Sequence, residues 1–385
     1  MSKINPNQAI DAIAEDLKAR SVEIEDARRL PADIAAKLAE ADLFNIVKPA
    51  ELGGLELPPQ RMMEIVSELS EINASVGWCV MIGATSTLAG AYMDETTARE
   101  IYSKPLDIHG CVFAPMGKAE DKGDHYLVTG QWQWGSGSAN CKWLAGGAMI
   151  FKDGELQRLE SGAPNHRMMS FPASEVEFVD TWHVSGLKGT GSGDYKVAGL
   201  RVPKERSVSF ITDEPRNPAP LYKFPLFGLL ALGVASVALG NAKGALTEAT
   251  ALLKAKRTTG GARSQSQRAT VQVDMARAQA ALAGAEAFLE KVVKAAWQEA
   301  LGDDAISNET RATLRLACAH AAEISADVCK TTYSLGGGSA VYLSNDLQRR
   351  FRDAHVATQH IMVAPATFEL AGRILLDEPV DTSTL

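Results

Sequence analysis

APMGKAEDKGDHYLVTGQWQWGSGSANCKW, residues 114–143, is the stretch on which the fold turns. From His125 to Trp134 the side chains alternate as in a strand, and Lys122–Gly123–Asp124 ahead of them has turn chemistry. Three further runs share this texture: KWLAGGAMIF (142–151), EVEFVDTW (175–182) and YKVAGLRVP (195–203). The last stops at Val202–Pro203, where proline removes a ladder donor. A β region is therefore predicted over about 106–212.

On either side the period becomes helical. Ile10, Ile13 and Leu17 share one face, and Pro31–Ala32–Asp33 reads as a helix start. After Pro58–Pro59, Met62, Ile65, Val66 and Leu69 line another face. Beyond 220, alanine-rich runs at 241–257, 268–300 and 308–333 are strong helix formers. YSLGGGSAVYL (333–343) interrupts them, and 345–375 resumes the helical pattern. The layout is α, then β, then α. It predicts an N-terminal helical domain over 1–108, a central β domain over 109–215 and a C-terminal helical domain over 216–385.

Composition narrows the function classes. The chain has 385 residues, 46% hydrophobic, with 39 Lys+Arg against 47 Asp+Glu. That is too hydrophobic for global disorder and too acidic overall for a typical nucleic-acid binder. Its five cysteines contain no C-x-x-C pair, which predicts free thiols and a cytoplasmic protein. No apolar signal-like run opens the chain. FPLFGLLALGVASVALG (224–240) lacks charge, but Pro225 and three glycines interrupt it, so it reads as a buried core helix rather than a membrane span.

The motifs exclude several chemistries. Gly336–Gly338 fits neither a dinucleotide-binding nor a Walker loop, and no metal-ligand spacing links His355 and His360. Gly135–Ser136–Gly137–Ser138 and Gly191–Ser192–Gly193 are too short for a hydrolase elbow. Paired Ser/Gly turns do, however, let backbone approach a flat cofactor. KAKRTTGGARSQSQR (254–268) carries five basic residues and no acid, so Arg257 is a candidate phosphate ligand or part of a solvated loop. His360, in RDAHVATQH (352–360), is by itself compatible with a core or surface role.

These pieces occur in a fixed order: LFNIVKPAELGGLEL (43–57), SVGWCVMIGA (75–84), residues 114–143, WHVSGLKGTGSGDYKVAGLRVP (182–203) and LGGGSAVYLSNDLQRRFRDAHVATQH (335–360). Together they resemble the acyl-CoA dehydrogenase fold superfamily over nearly the whole chain. More closely, they resemble its two-component flavin-dependent monooxygenase branch, related to p-hydroxyphenylacetate and dibenzothiophene monooxygenases. The resemblance implies an α+β fold with a β-barrel-like central domain and a C-terminal four-helix bundle. It implies a homotetramer holding reduced FMN or FAD between the β domain, the bundle and a neighbouring subunit. Trp132, Ser136 and Gly137 match the turn lying against the flavin ring, with the Ser136 hydroxyl near N5. Thr190, Gly191 and Ser192 match a second flavin-contacting turn, and Arg257 matches an arginine near the flavin phosphate.

The same resemblance separates oxygenase from dehydrogenase. A dehydrogenase needs a carboxylate base. Its two usual positions fall here on Ile361 and on residues 224–243, which contain no Asp or Glu. His360 precedes Ile361 and matches the histidine that monooxygenases of this fold place beside the flavin. There an imidazole of ordinary pKa supplies a proton as reduced flavin and O2 form a C4a-hydroperoxide. His360 and Ser136 are thus the expected catalytic residues, and Trp78, Thr85 and Cys111 mark the expected substrate side. Thr85 and Cys111 stand near positions where phenol hydroxylases carry polar groups, so a small apolar aromatic or heterocyclic substrate is expected. With no dinucleotide-binding motif in the chain, reduced flavin is expected from a separate NAD(P)H-dependent reductase. The alternatives are an acyl-CoA dehydrogenase-like flavoenzyme with a relocated base and a helical scaffold without chemistry.

Overall fold

The computed structural model describes residues 6–257, 263–382 and 385. Ahead of the first strand come α1 (Pro6–Ala19), α2 (Ser21–Ala27), α3 (Ala32–Glu40), α4 (Pro59–Ile72), α5 (Ala74–Ser86) and α6 (Glu95–Tyr102). Pro59 opens α4 at a position whose N–H has no helical partner in any case. The Asn73 side chain caps α5 by accepting from the Ser75 and Val76 N–H groups. Almost every residue of α5 is buried, so the helix is apolar all round rather than on one stripe.

The strands are β1 (His109–Asp121), β2 (His125–Trp132), β3 (Trp143–Lys152), β4 (Glu155–Leu156), β5 (His166–Pro172), β6 (Glu177–Val179), β7 (Asp194–Pro203) and β8 (Ser207–Val208). They lie in the order β6-β7-β2-β1-β3-β5-β8, with β4 paired only to β3. The β1–β3 pair is parallel and the other pairs are antiparallel. This corrects the expected barrel: the sheet is open. Closure would need β6 to pair with β8, and strands of three and two residues offer few ladder bonds for such a seam. Alternation reveals that strands exist, but it carries no information on whether the first and last of them meet.

The topology also positions the site. β2 lies on one side of β1 and β3 on the other, so residues 133–142 must pass over the N-terminal end of β1. Ser136 sits on this crossing. Beneath it, Trp132 is fully buried and rests on glycine; an added Cβ at Gly146 would run into its ring.

The chain then forms α7 (Pro220–Lys223), α8 (Leu226–Ala255), α9 (Ala269–Ala300), α10 (Asn308–Gly336), α11 (Asp346–Ala357) and α12 (Ala366–Leu375). α8 packs against α4 and α5 as well as α10 and α11. At the α4–α8 crossing, a side chain on Gly240 would collide with the Ser67 carbonyl. The helices flanking the sheet therefore share one apolar cluster, running from Ile10 to Val363. Residues Ala74–Ala91 and Leu226–Ala255 are long and apolar enough to cross a membrane, and both are mostly buried within the protein.

Candidate active site

Two turns meet above the end of β1. Gly135 N–H donates to Gly193 O at 3.0 Å and Gly137 N–H to Thr190 O at 2.8 Å. Left-handed backbone at Trp134, Gly137, Leu187 and Gly191 permits this close approach. The buried Ser136, Thr190 and Ser192 are thereby brought together. Ser136 Oγ lies 2.7 Å from Ser192 Oγ, which lies 2.7 Å from Thr190 Oγ1. Thr190 donates to Leu187 O at 2.7 Å, and Trp78 Nε1 donates to Ser136 Oγ at 3.0 Å.

These partners dictate the direction of every proton. Leu187 O can only accept, so the Thr190 hydroxyl donates to it and must accept from Ser192. Ser192 then accepts from Ser136. The Ser136 proton is committed inward, one of its lone pairs faces Trp78, and the other remains as an acceptor.

The C-terminal helices hold this arrangement in place. The buried Asp353, on α11, accepts from Leu187 N at 2.6 Å and so anchors the end of the hydroxyl chain. Burial raises the Asp353 pKa, opposed by that N–H and by Arg349 and Arg352. Arg352 donates to Ser185 O and pairs with Glu25 at 2.6 Å, tying the same segment to α2.

His360 lies just past α11. Its ring meets Trp78 edge-on, with centroids 5.5 Å apart. Met362 N donates to His360 Nδ1 at 3.3 Å, which leaves the neutral ring's proton on Nε2. The ring is partly exposed, yet enough atoms surround it that burial, helped by the charge of Arg315, lowers its pKa to about 4. The expected imidazole of ordinary pKa is thus corrected: at neutral pH His360 is an uncharged donor. Among the described residues no carboxylate contributes to its shift.

The structure thus collects Trp78, Ser136, Gly137, Thr190, Gly191, Ser192 and His360. Others of the expected residues lie elsewhere. Trp132 is in the core, packed on Phe171 and Tyr195, with Nε1 donating to Gly147 O at 2.7 Å. It has no exposed surface. The indole at the crossing is Trp134, 60% exposed at φ 65°. Alternation places 132 and 134 on the same face, and only the left-handed backbone at 134 separates them. Thr85 donates to Met81 O within α5, and Cys111, opposite Ala145 on β3, packs against the smaller apolar cluster. Arg257 is exposed, in a bridge with Ser264 beyond the end of α8. Gly233 of α8 adjoins Met81, one turn from Trp78, and the rest of α8 carries the chain away on the order of 33 Å. Residues 258–262 of the basic stretch lie outside the described residues.

Residues 7–101 match the family described as acyl-CoA dehydrogenase, N-terminal domain, and residues 232–365 match acyl-CoA dehydrogenase, C-terminal domain. Indole-3-acetate monooxygenase of Acinetobacter baumannii is 30% identical over 370 residues, covering 95% of this chain and 92% of that protein. The chain belongs to the flavin-dependent monooxygenases of the acyl-CoA dehydrogenase fold. A second relative, the flavin-dependent monooxygenase oxygenase subunit HsaA of Mycobacterium tuberculosis, is 27% identical, covering 91% of this chain and 90% of that protein. The HsaA crystal structure superposes with a TM-score of 0.88 at 25% identity, covering 98% of each chain. XiaF from Streptomyces sp., solved with FADH2 and glycerol, superposes at 0.87 with 23% identity, covering 97% of this chain and 95% of that one. As a member of this family, the protein is a flavin-dependent monooxygenase of the oxygenase-component type. The dehydrogenase and scaffold alternatives fall away.

Proposed function

We propose that the Ser136–His360 region is the reduced-flavin and oxygenation site, and that the substrate is a small aromatic or heterocyclic molecule of the indole type. The observation that carries this is the direction of the hydroxyl chain. Ser136 Oγ is left with acceptor capacity. Reduced flavin presents an N–H at N5, where oxidised flavin has a bare nitrogen, so the residues fit the reduced cofactor.

Reduced flavin, when bound, supplies the two electrons with which one atom of O2 enters the substrate and the other leaves as water. The chain's own groups have separate tasks. Trp78 and Ser192 hold the Ser136 hydroxyl in orientation. Asp353 and Leu187 anchor that line to the helices. His360 keeps a proton on Nε2 for an oxygen atom at the site. Trp134 and Ile361, 60% and 75% exposed, offer apolar surface next in sequence to these groups, which suits an aromatic ring.

Arg257 lies too far along α8 to join these groups within one chain, so a neighbouring copy supplies it. Exposed Val341, Tyr342 and Leu343 provide apolar area for self-association, and the assembly proposed is the homotetramer that the resemblance implies. Five free cysteines support a cytoplasmic setting.

Anaerobic titration with reduced and oxidised flavin tests the reading. The reduced form should bind more tightly. Thr190→Val frees the Ser192 proton to turn toward Ser136 and should narrow that preference by about 3–10-fold, the range of one net hydrogen bond. Equal affinity for both redox states in the unaltered protein would overturn the fit. With a flavin reductase, NADH and O2, indole or indole-3-acetate should be oxygenated; hydrogen peroxide alone from both would remove that substrate class.

A further inference from the structure

The pair of groups that decides the state of His360 includes one residue with no obvious role in the fold. Arg315 is buried on α10, and its Nη2 donates to Met362 O at 3.3 Å. The N–H of the same Met362 donates to His360 Nδ1 at 3.3 Å. Arg315 thus grips the short turn from which the imidazole projects, and it does so through the residue that selects the tautomer.

The neighbouring arginine provides a contrast. Arg311, one turn earlier on α10, donates to Thr382 O at 3.2 Å and Leu385 O at 3.1 Å, so it secures the end of the chain. Arg315 instead reaches the 360–362 turn. We infer that Arg315 is a positioning residue for His360: it anchors the turn that carries the imidazole and, through Met362, fixes the ring with its proton on Nε2. This rests on the assignment of His360 to the oxygenation site and extends it.

The surrounding groups are consistent with that task. α5 presents Trp78, which carries no charge and whose Nε1 donates to the Ser136 hydroxyl. α10 presents Arg315 and, one turn along, Cys318, whose thiol burial pushes up to about 12. The guanidinium is therefore the charge acting on the ring among the described residues, and it opposes a second positive charge there. A lysine in its place would keep the charge but could not match the planar reach of the guanidinium.

Histidine-labelled protein read by NMR tests the inference, with His360→Asn identifying the resonance. Arg315→Met should raise the titration midpoint of His360 by about one pH unit, the lower end of what a neighbouring charge does. Arg315→Lys should return part of that shift. If Arg315→Met fails to fold, Arg315→Gln keeps a donor for Met362 O and reads the charge alone. A midpoint that stays at its original value in a folded variant would overturn the inference. The product-to-peroxide ratio is measured on the same variants. A moved midpoint with an unchanged ratio supports the Arg315–His360 link while overturning the catalytic assignment of His360.

Discussion

His360→Ala is expected to lower product formed per flavin oxidised by about 10–100-fold, with hydrogen peroxide taking up the difference. The size follows from losing a hydrogen bond to a charge-bearing oxygen, about 1.5–3 kcal/mol. His360→Asn restores a donor of similar reach and should recover part of the loss. The pH dependence is set by the pKa of about 4, which burial first and Arg315 second bring about. Product yield should therefore stay level as pH falls from 8 to about 5 and decline only as the ring gains its second proton. The same shift links to stability. A folded-state pKa below the usual 6.5 means that the unfolded chain binds the proton more readily. The contribution is complete above about 6.5 and is lost as pH falls toward 4. Coupled turnover with peroxide detection across this range checks the prediction. A midpoint near 6.5 in the yield, or an unchanged yield in His360→Ala, would remove His360 from the mechanism.

The two tryptophans at the end of β2 should separate cleanly. Trp132→Ala removes a fully buried indole and leaves Gly147 O without its donor. Large-to-small core changes of this kind cost about 3–5 kcal/mol. Trp134→Ala removes an exposed ring and should alter stability by about 0.5 kcal/mol or less, the usual scale for surface changes. Its effect should instead be weaker binding of reduced flavin. Urea unfolding and anaerobic flavin titration on both variants provide the readouts. A stable Trp132→Ala that loses flavin, beside a Trp134→Ala that binds it normally, would return the cofactor contact to Trp132.

The Ser/Gly turns were legible as turns, and their meeting in space is what the structure adds. His360 was singled out only by the resemblance, and its contact with Trp78 is what the structure adds. Trp132 was singled out by the resemblance; the structure buries its ring and exposes that of Trp134 two residues on, where the left-handed backbone is not encoded in alternation. Arg315 was invisible. It lies in an alanine-rich helix, 45 residues before His360, and nothing in its neighbourhood marks it as different from Arg311.

By itself the sequence determined the α, β, α order, the apolar faces and the two Ser/Gly turns. These follow from period, from turn chemistry and from residue type, all of which act over a few positions. Tertiary structure alone decided the rest. The sheet stays open because β6 and β8 do not meet. The hydroxyl chain runs one way because Leu187 O ends it. His360 is neutral because burial and Arg315 act on it from other helices. Each of these depends on groups that are distant in sequence and adjacent in space, where burial, hydrogen-bond direction and charge are settled together.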